Sequence, residues 1–348
     1  MNRLNLLGKD SQELLAIVQE MGEKSFRGKQ LYHHLYRRRE HSFSRMSELP
    51  AAFRSQLEEQ FRVDLPQLHQ RTESQDGTVK LLFRLHDDQF VETVVIPEED
   101  RTTLCISSQV GCDVGCTFCM TAQMGFTRNL NSGEILGQIL AAIDSDYVPP
   151  RGFNIVFMGM GEPLYNYKHL MKSFRIMVDP QGMGLSKRRI TVSTAGVIPV
   201  LERMHSEPIL PNLAVSLNAT TDELRNELMP LNQKWPIQDL LDCCRRFPLE
   251  PRRRITFEYI LLKGVTDSPK DAHRLAGLLR GIPSKVNLIP YNPNPGLPYQ
   301  RPSAQTVDRF QKILSSHHIS AFVRKTRGED ISAACGQLAY LETQVEHA

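Results

Sequence analysis

The sequence predicts an α/β fold on a parallel sheet, preceded by a small helical module, and three observations carry that expectation. From residue 100 onward short β-branched or apolar runs recur with helix-patterned stretches between them: TLCISS, FNIVFMG, RITVST, LAVSL, TFEYILL, KVNLIPY and SAFVRK. Such alternation marks repeated β-α units, whose sheet is open or closed into a barrel. Near Gln75-Asp76-Gly77 the apolar spacing changes from three and four residues to simple alternation, which puts a boundary near residue 75. Finally, 348 residues with 41% hydrophobic and 23% charged residues is ordinary globular composition, at a length suited to one large domain and a smaller one.

Residues 12–21, 26–39 and 52–61 carry apolar positions at helical spacing with polar breaks between, so residues 1–75 read as an N-terminal helical domain. TVKLLFRL and QFVETVVIP, separated by His86-Asp87-Asp88, read as a hairpin or neighbouring strands, and residues 76–100 are expected as a β extension. Residues 101–348 hold the β-α units. The most legible helix there has Asn131 and Glu134 at capping-box spacing, followed by Ile135, Leu136, Ile139, Leu140 and Ile143 on one face. Residues 290–302, rich in proline, read as one long loop, and no short repeat or heptad run occurs.

Lys and Arg number 42 against 39 Asp and Glu, a formal charge of +3. The pI of 8.4 permits a nucleic-acid partner without demanding one. No apolar run approaches the roughly 20 residues that span a bilayer, and MNRLNLLGKD has neither the apolar stretch nor the cleavage site of a secretory signal. The expectation is a cytoplasmic protein away from membranes. Seven cysteines are too sparse for a disulfide scaffold, and an odd number cannot pair completely. Cys105, Cys112, Cys116 and Cys119 fall close together, Cys243 and Cys244 are adjacent on a predicted helix where packing explains them, and Cys335 stands alone.

The decisive motif is Cys112-Asp-Val-Gly-Cys116-Thr-Phe-Cys119, a C-x3-C-x2-C spacing on a glycine-containing loop after a predicted strand. Three such thiolates can hold a [4Fe-4S] cluster and leave one iron open to a substrate or cofactor. A structural zinc site is the alternative, but it wants four ligands, and no further pair or spaced histidines follow. A second motif, Phe-Met-Gly-Met-Gly-Glu-Pro163, ends the strand FNIVFMG. Its glycines let backbone approach a ligand at the carboxyl end of a strand, and Glu162 offers an acceptor for an ammonium group.

With Phe118 before its last cysteine, the triad resembles the signature of radical S-adenosylmethionine enzymes. In that superfamily the methionyl amino and carboxylate groups of the cofactor chelate the open iron, and reductive cleavage gives a 5′-deoxyadenosyl radical. The turn with Gly161 and Glu162 resembles the superfamily's site for the methionyl amine. The string ISSQVGCDVGCTFCMTAQMGFTRNL, together with GMGEP, VSTAGVIP, VSLNATTDELRNELMPLN and DISAACGQL, closely resembles the RlmN family over nearly the whole chain, including FRGKQLYHHLYRRR near its start. The resemblance implies a partial (β/α)6 radical-SAM barrel with an N-terminal small helical domain and a β extension. It also implies an enzyme that methylates C2 of adenosine in 23S rRNA, at the peptidyl transferase centre, and in tRNA, at an anticodon-loop adenosine.

Adenine C2 is electron-poor and not a nucleophile, so direct attack on a sulfonium methyl is closed to it. In the family, one S-adenosylmethionine methylates a cysteine and a second generates the radical that activates that methyl, two cofactors per turnover. By motif match the S-methylcysteine is Cys335, the proton acceptor is Glu92, and the resolving thiol is Cys105, through a transient disulfide with Cys335. The match assigns Cys112, Cys116 and Cys119 to the cluster, and Gly161, Glu162, Ser193, Ser216, Leu217, Asn218 and Asn292 to the cofactor. Asn218 departs from the histidine often found there, though an amide also donates and accepts. An electron donor such as flavodoxin or ferredoxin is implied, and a monomer is expected.

For RNA, the aromatic and basic group Tyr32, His33, His34, Tyr36 and Arg37 to Arg39 is the candidate contact in the helical module. Further basic groups lie at Lys187-Arg188-Arg189, Arg252-Arg253-Arg254 and Arg324-Lys325-x-Arg327. The target adenine must leave its stack to meet Cys335. Two alternatives stay open. The sister C8-adenosine methyltransferase, which confers antibiotic resistance, shares the cysteines, although GMGEP and TAQMGF favour C2. A non-catalytic metal-containing RNA-binding protein would have no use for Cys335.

Overall fold

The computed structural model describes residues 3–149 and 152–339. Helices α1 (Ser11–Glu20), α2 (Phe26–Tyr36) and α3 (Ala51–Gln60) form where apolar spacing predicts them. Asp10 starts α1 through a reciprocal capping box with Glu13. Helix α2 stops short of residue 39 because the N–H groups of Arg37 and Arg38 both turn back to the His33 carbonyl, after which Arg39 is left-handed at φ 56°. Strands β1 (Leu4–Asn5) and β2 (Phe61–Arg62) pair in parallel and join the two ends of this module.

Three antiparallel strands follow, β3 (Gln67–Glu73), β4 (Val79–Arg84) and β5 (Phe90–Glu98), running into β6 (Arg101–Cys105). The sequence reading lacks β3, and the reason is physical: its side chains are nearly all exposed, so QLHQRTE has no apolar alternation to detect. A separate hairpin, β7 (Gln109–Gly111) with β8 (Phe126–Asn129), brackets the cysteine loop and the short helix α4 (Met120–Gln123). The parallel strands are β6, β9 (Asn154–Phe157), β10 (Ile190–Thr194), β11 (Asn212–Ser216), β12 (Ile255–Leu261), β13 (Ser284–Pro290) and β14 (Ala321–Val323). The whole ten-stranded sheet runs β14-β13-β12-β11-β10-β9-β6-β5-β4-β3.

Helices α5 (Ser132–Asp144), α6 (Tyr167–Val178), α7 (Ile198–Met204), α8 (Asp222–Leu228), α9 (Ile237–Arg246), α10 (Pro269–Leu278) and α11 (Ala304–Ser316) lie in the crossovers. Spatial order follows chain order among the parallel strands, so every crossover steps in the same direction, as in a barrel and unlike a doubly wound sheet. Curvature is visible in the side chains: Thr103, Thr191, Ala214, Thr256, Asn287 and Phe322, from six strands, line one cavity. The fold is therefore a partial barrel of β-α units carrying an antiparallel extension. A closed barrel of this kind fills its interior with side chains; here the interior stays open.

The opposite faces of the strands bury Leu104, Ile155, Val192, Val215 and Phe257 beneath the helices. Helix α5 begins with the expected Asn131/Glu134 capping box, and its five predicted apolar residues are buried, each worth about 1.5–3 kcal/mol. It is buried on further faces as well, since the N-terminal module packs on it. A Cβ on Gly8, at φ 87°, would stand 2.2 Å from the Gly133 backbone nitrogen, and one on Gly137 would meet Pro66 at 2.3 Å.

This docking corrects the RNA reading of α2. Tyr32, His34 and Tyr36 are each only 2% exposed. The two tyrosine rings meet edge to face at 5.0 Å; Tyr32 donates to Asp179 at 3.0 Å, and Tyr36 donates to the Lys9 carbonyl at 2.8 Å. Arg37 reaches the Met183 carbonyl at 3.2 Å. Tyr32 and Arg37 fasten the module to the barrel, Tyr36 ties the module to itself, and the buried rings present no stacking face to a base. Gly8→Ala is expected to cost about 2–4 kcal/mol, from the left-handed backbone and the clash with Gly133 together. Gly22→Ala, also left-handed but with nothing within 4 Å of the added carbon, should cost about 1–2 kcal/mol. Chemical denaturation of both variants checks this, and equal losses would contradict the close approach.

Candidate active site

Two cavities meet at Cys335. The smaller, about 170 Å³, lies at the carboxyl ends of β9 to β12 and is walled by Cys112, Cys116, Cys119, Glu162, Ser193 and Asn218. The larger, about 670 Å³, occupies the barrel interior and reaches Cys105. Cys335, Met158 and Ile289 border both.

The loop bearing the three cysteines is fixed by its backbone. Cys112 N–H donates to the Gly125 carbonyl at 2.8 Å and Thr117 N–H to Leu228 at 3.0 Å, while the Thr117 hydroxyl meets that of Tyr299 at 2.6 Å. Gly111, at φ 74°, has room for no side chain: its Cβ would fall 1.8 Å from the Gly125 oxygen. Burial, and then the neighbouring anionic groups, push the Cys112 thiol up to about 12; burial and the other two cysteines push Cys116 well above its usual range. Burial likewise raises Cys119. Such thiols gain by giving up protons to a metal. Among the described residues no three His, Cys, Asp or Glu side chains stand close enough together to hold a single ion; the thiols converge on a cavity instead.

A second observation fits a thiolate-bound group there. Arg225 is fully buried, and it donates to the carbonyls of Leu217 at 2.9 Å and Ala195 at 2.7 Å and to Asn232 at 2.8 Å. Burial lowers its guanidinium to about 10, and the neighbour that most favours its charge is Cys116. A buried cation beside the triad suits ligands that are anionic in their metal-bound form. The residues present therefore fit a [4Fe-4S] cluster.

On the opposite wall, Gly161 is at φ 100° and presses on Gln109, leaving no space for a Cβ. The Glu162 carboxylate accepts from Leu164 N–H at 3.0 Å and Ala195 N–H at 2.7 Å, contacts that oppose the upward push of burial and aim it at the cavity. Ser193 and Ser216 point their hydroxyls at Glu258, at 2.7 and 3.4 Å. Asn218, left-handed at φ 59°, accepts from Ile260 N–H at 3.0 Å and borders the cavity. Leu217 is fully buried and lines neither cavity, so only its backbone is available. Asn292 borders the larger cavity and donates to the Cys335 carbonyl at 3.2 Å, while its own oxygen accepts from Arg301 and Thr326. Its place is beneath the Cys335 loop.

That loop is held from two sides. From the cysteine loop, Met120 N–H donates to the Gly336 carbonyl at 2.8 Å and Thr121 to Leu338 at 2.6 Å. From the β3–β4 hairpin, Ser74 donates to Asp330 at 2.6 Å, and Asp76 accepts from Gly328 N–H at 3.1 Å. Cys105 is buried, and burial followed by the proximity of Cys335 pushes its thiol up to about 12; Arg324 acts in the opposite sense. All seven cysteines are free thiols, so the Cys105–Cys335 disulfide that the resemblance implies is absent from this state.

Glu92 lies on β5, which pairs with β6 so that Val94 stands opposite Cys105. It borders neither cavity and is covered by the segment after Cys335, with Ala339 N–H donating to its carboxylate. Lys80 meets Glu92 Oε1 at 2.9 Å, the two side chains 15% and 4% exposed, and also donates to the Ser332 carbonyl at 3.5 Å. Sequence reasoning missed Lys80, Arg225 and Glu258, and it singled out Arg324 only as one of a basic group for RNA. Of the three missed, only Glu258 left a signal, as a lone carboxylate inside the apolar strand TFEYILL; its Oε1 is buried without a hydrogen-bond partner.

A partial barrel whose carboxyl end gathers three cysteines, a glycine-rich turn and a buried carboxylate defines a radical S-adenosylmethionine protein. The Radical SAM superfamily model matches residues 106–276, and the ribosomal RNA large subunit methyltransferase N-terminal domain model matches residues 4–63. A protein of Anaeromyxobacter dehalogenans named dual-specificity RNA methyltransferase RlmN is 48% identical, covering 94% of this chain and 90% of its own. One of the same name from Geobacter sulfurreducens is 49% identical over 96% and 92%. A radical SAM methyltransferase structure from Sphaerobacter thermophilus superposes with a TM-score of 0.91 at 45% identity, over 96% of this chain and 98% of that one. The chain belongs to the RlmN family.

Proposed function

We propose that this protein methylates C2 of adenosine in 23S rRNA and in tRNA, with Cys335 carrying the methyl group. The observation that supports this reading best is the meeting of two cavities at Cys335, one beside the cysteine triad and one bordered by Cys105. A thiol so placed can take a methyl group on the first side and deliver it on the second. The names of the relatives support RNA as the substrate. In this reading Cys112, Cys116 and Cys119 hold the cluster, Gly161, Glu162, Ser193, Ser216 and Asn218 face S-adenosylmethionine directly, and Leu217 through its backbone and Asn292 from beneath the Cys335 loop complete its site. Two cofactor molecules are used per turnover. The bound cluster and cofactor supply one-electron reduction and hydrogen-atom abstraction at the methyl group on Cys335.

The remaining work falls to side chains. After the methylene carbon bonds to C2, Glu92 accepts the C2 proton, and the unpaired electron of the adduct must leave with it, its acceptor being the oxidised cluster when bound. Cys105 then attacks the sulfur of Cys335: the S–S bond forms, the S–C bond breaks, and the electron pair left on the methylene carbon takes up a proton to complete the methyl group. Alkylation of Cys335 removes the charge that opposes ionisation of Cys105, while Arg324 stays beside it. The resulting disulfide needs an external thiol reductant, and the cluster an electron donor of the flavodoxin or ferredoxin type. Residues 1–75 serve as the RNA-side domain, 76–100 carry Glu92, and 101–348 carry the chemistry, in a cytoplasmic monomer.

Cys335→Ala should yield no methylated adenosine, whereas Cys105→Ala should stall as a covalent protein-RNA adduct visible on denaturing gels. Turnover by Cys335→Ala, or free turnover by Cys105→Ala without adduct, would refute the assignments. A second expectation concerns pH. Burial raises the Glu92 carboxyl and the Lys80 ammonium holds it down, so the base form is lost as pH falls through that value. Lys80→Met removes the opposing charge, raises the carboxyl further, and should move the acidic limb of the rate profile upward, with activity regained at higher pH. Lys80→Arg should keep the limb near its original place; an unmoved limb in Lys80→Met would exclude this role.

A further inference from the structure

The larger cavity has a second end that the thiols do not use. Towards the amino ends of the strands its wall carries Arg101 from β6 and Lys285 from β13; Lys325 and Arg327, which follow β14, line the same cavity. Arg254, just ahead of β12, adds to the group. Burial, then Arg254 and Arg101, press the Lys285 ammonium below its usual range. Arg101 is paired with Glu98, Arg254 is bonded to the Ser320 hydroxyl at 3.0 Å, and Arg327 reaches Asp76 at 3.9 Å. Lys285 has no hydrogen-bond or ion-pair partner among the described residues. Next to it Phe322 of β14, in register with Asn287 of β13, is 54% exposed.

Like charges gathered at a half-buried place cost stability unless an anion joins them, and a local rule broken in this way marks a place used for binding. The anion must fit the rest of the cavity. Its volume suits a nucleotide-sized ligand, its far end is bordered by Cys105 and Cys335, and its mouth offers an aromatic face, the pairing of ring and cation that single-stranded nucleic acid uses. Two of the basic runs, Lys187–Arg189 before β10 and Arg252 to Arg254 before β12, stand at the same rim because all these strands are parallel.

We propose that this amino-end mouth of the barrel is where single-stranded RNA enters, a backbone phosphate seated on Lys285 and a base flanking the target stacked on Phe322. This rests on the methyltransferase reading above. The target base then extends inward to Cys335, approaching it from the side opposite the cluster. An acidic protein partner would also be drawn to the cations, but the exposed ring and the continuity of the cavity with the thiols favour RNA.

The test is the affinity of the full-length, cluster-reconstituted protein for a fluorescent RNA hairpin with an adenosine in its loop, measured across a salt series, with iron content and melting temperature as controls of folding. Lys285→Met should weaken binding about tenfold and reduce the slope of log affinity against log salt by about one, while Lys285→Arg should stay near wild type. Phe322→Ala should weaken binding about fivefold or more with the salt slope kept, and Phe322→Trp should restore it. Wild-type affinity in both Lys285→Met and Phe322→Ala would overturn the proposal while leaving methylation by the wild type untouched. Slower reduction by an acidic electron-donor protein with unchanged RNA binding would overturn it as well and assign the mouth to that partner. RNA binding lost in these variants, from a wild type that forms no methyladenosine, would instead support the mouth and count against the methyltransferase reading.

Discussion

Cys335 sits in a stretch with little regular structure, and its position depends on hydrogen bonds to two other parts of the chain. Met120 and Thr121, directly after the cysteine triad, hold the backbone of Gly336 and Leu338, while Ser74 and Asp76 at the tip of the β3–β4 hairpin hold Asp330 and Gly328. The first set couples the thiol to the loop that bears the three cysteines. The second couples it to the antiparallel extension that carries Glu92. Without either set the two cavities would lose Cys335 from their shared wall, the thiol that borders both.

The openness of the barrel serves the same arrangement. A closed (β/α) barrel fills its interior with apolar side chains, whereas here a set of threonines, asparagines and cations lines the interior faces of the strands. Polar interior surface has to be stabilised by fixed partners where no ligand does so. Arg225 bonds carbonyls at the ends of β10 and β11, and Ser193 and Ser216 direct their hydroxyls to Glu258. These groups keep the carboxyl ends of the strands in register around the smaller cavity, and their burial makes each hydrogen bond costly to lose.

Local rules carried much of this into the sequence. The helices of the module, the Asn131 capping box and the parallel strands are legible because each buries one face against a neighbour, which imposes a period on the apolar residues. Strand β3 escaped because an exposed edge strand has no such period. The cysteine triad was legible from its spacing, and Gly161 and Glu162 from the turn they form, whereas Glu92, Cys105 and the other residues proposed for the cofactor came from family likeness alone. Lys80 and Arg225 escaped both routes, since their roles arise from partners remote in the chain: Lys80 meets Glu92 across two paired strands, and Arg225 reaches back to β10. The aromatic group of α2 misled because residue type does not reveal exposure; Tyr32 turns inward to Asp179 of the barrel, and Tyr36 to Lys9 within the module.

The central claim is that Cys335 passes a methyl group from the cofactor side to an adenine on the other side. The most direct measurement is nucleoside mass spectrometry of unmodified 23S rRNA and tRNA, incubated anaerobically with the iron- and sulfide-reconstituted protein, reductant and S-adenosylmethionine. The account predicts 2-methyladenosine in both RNAs. Formation of 8-methyladenosine, or of no methylated adenosine despite cofactor cleavage, would contradict it.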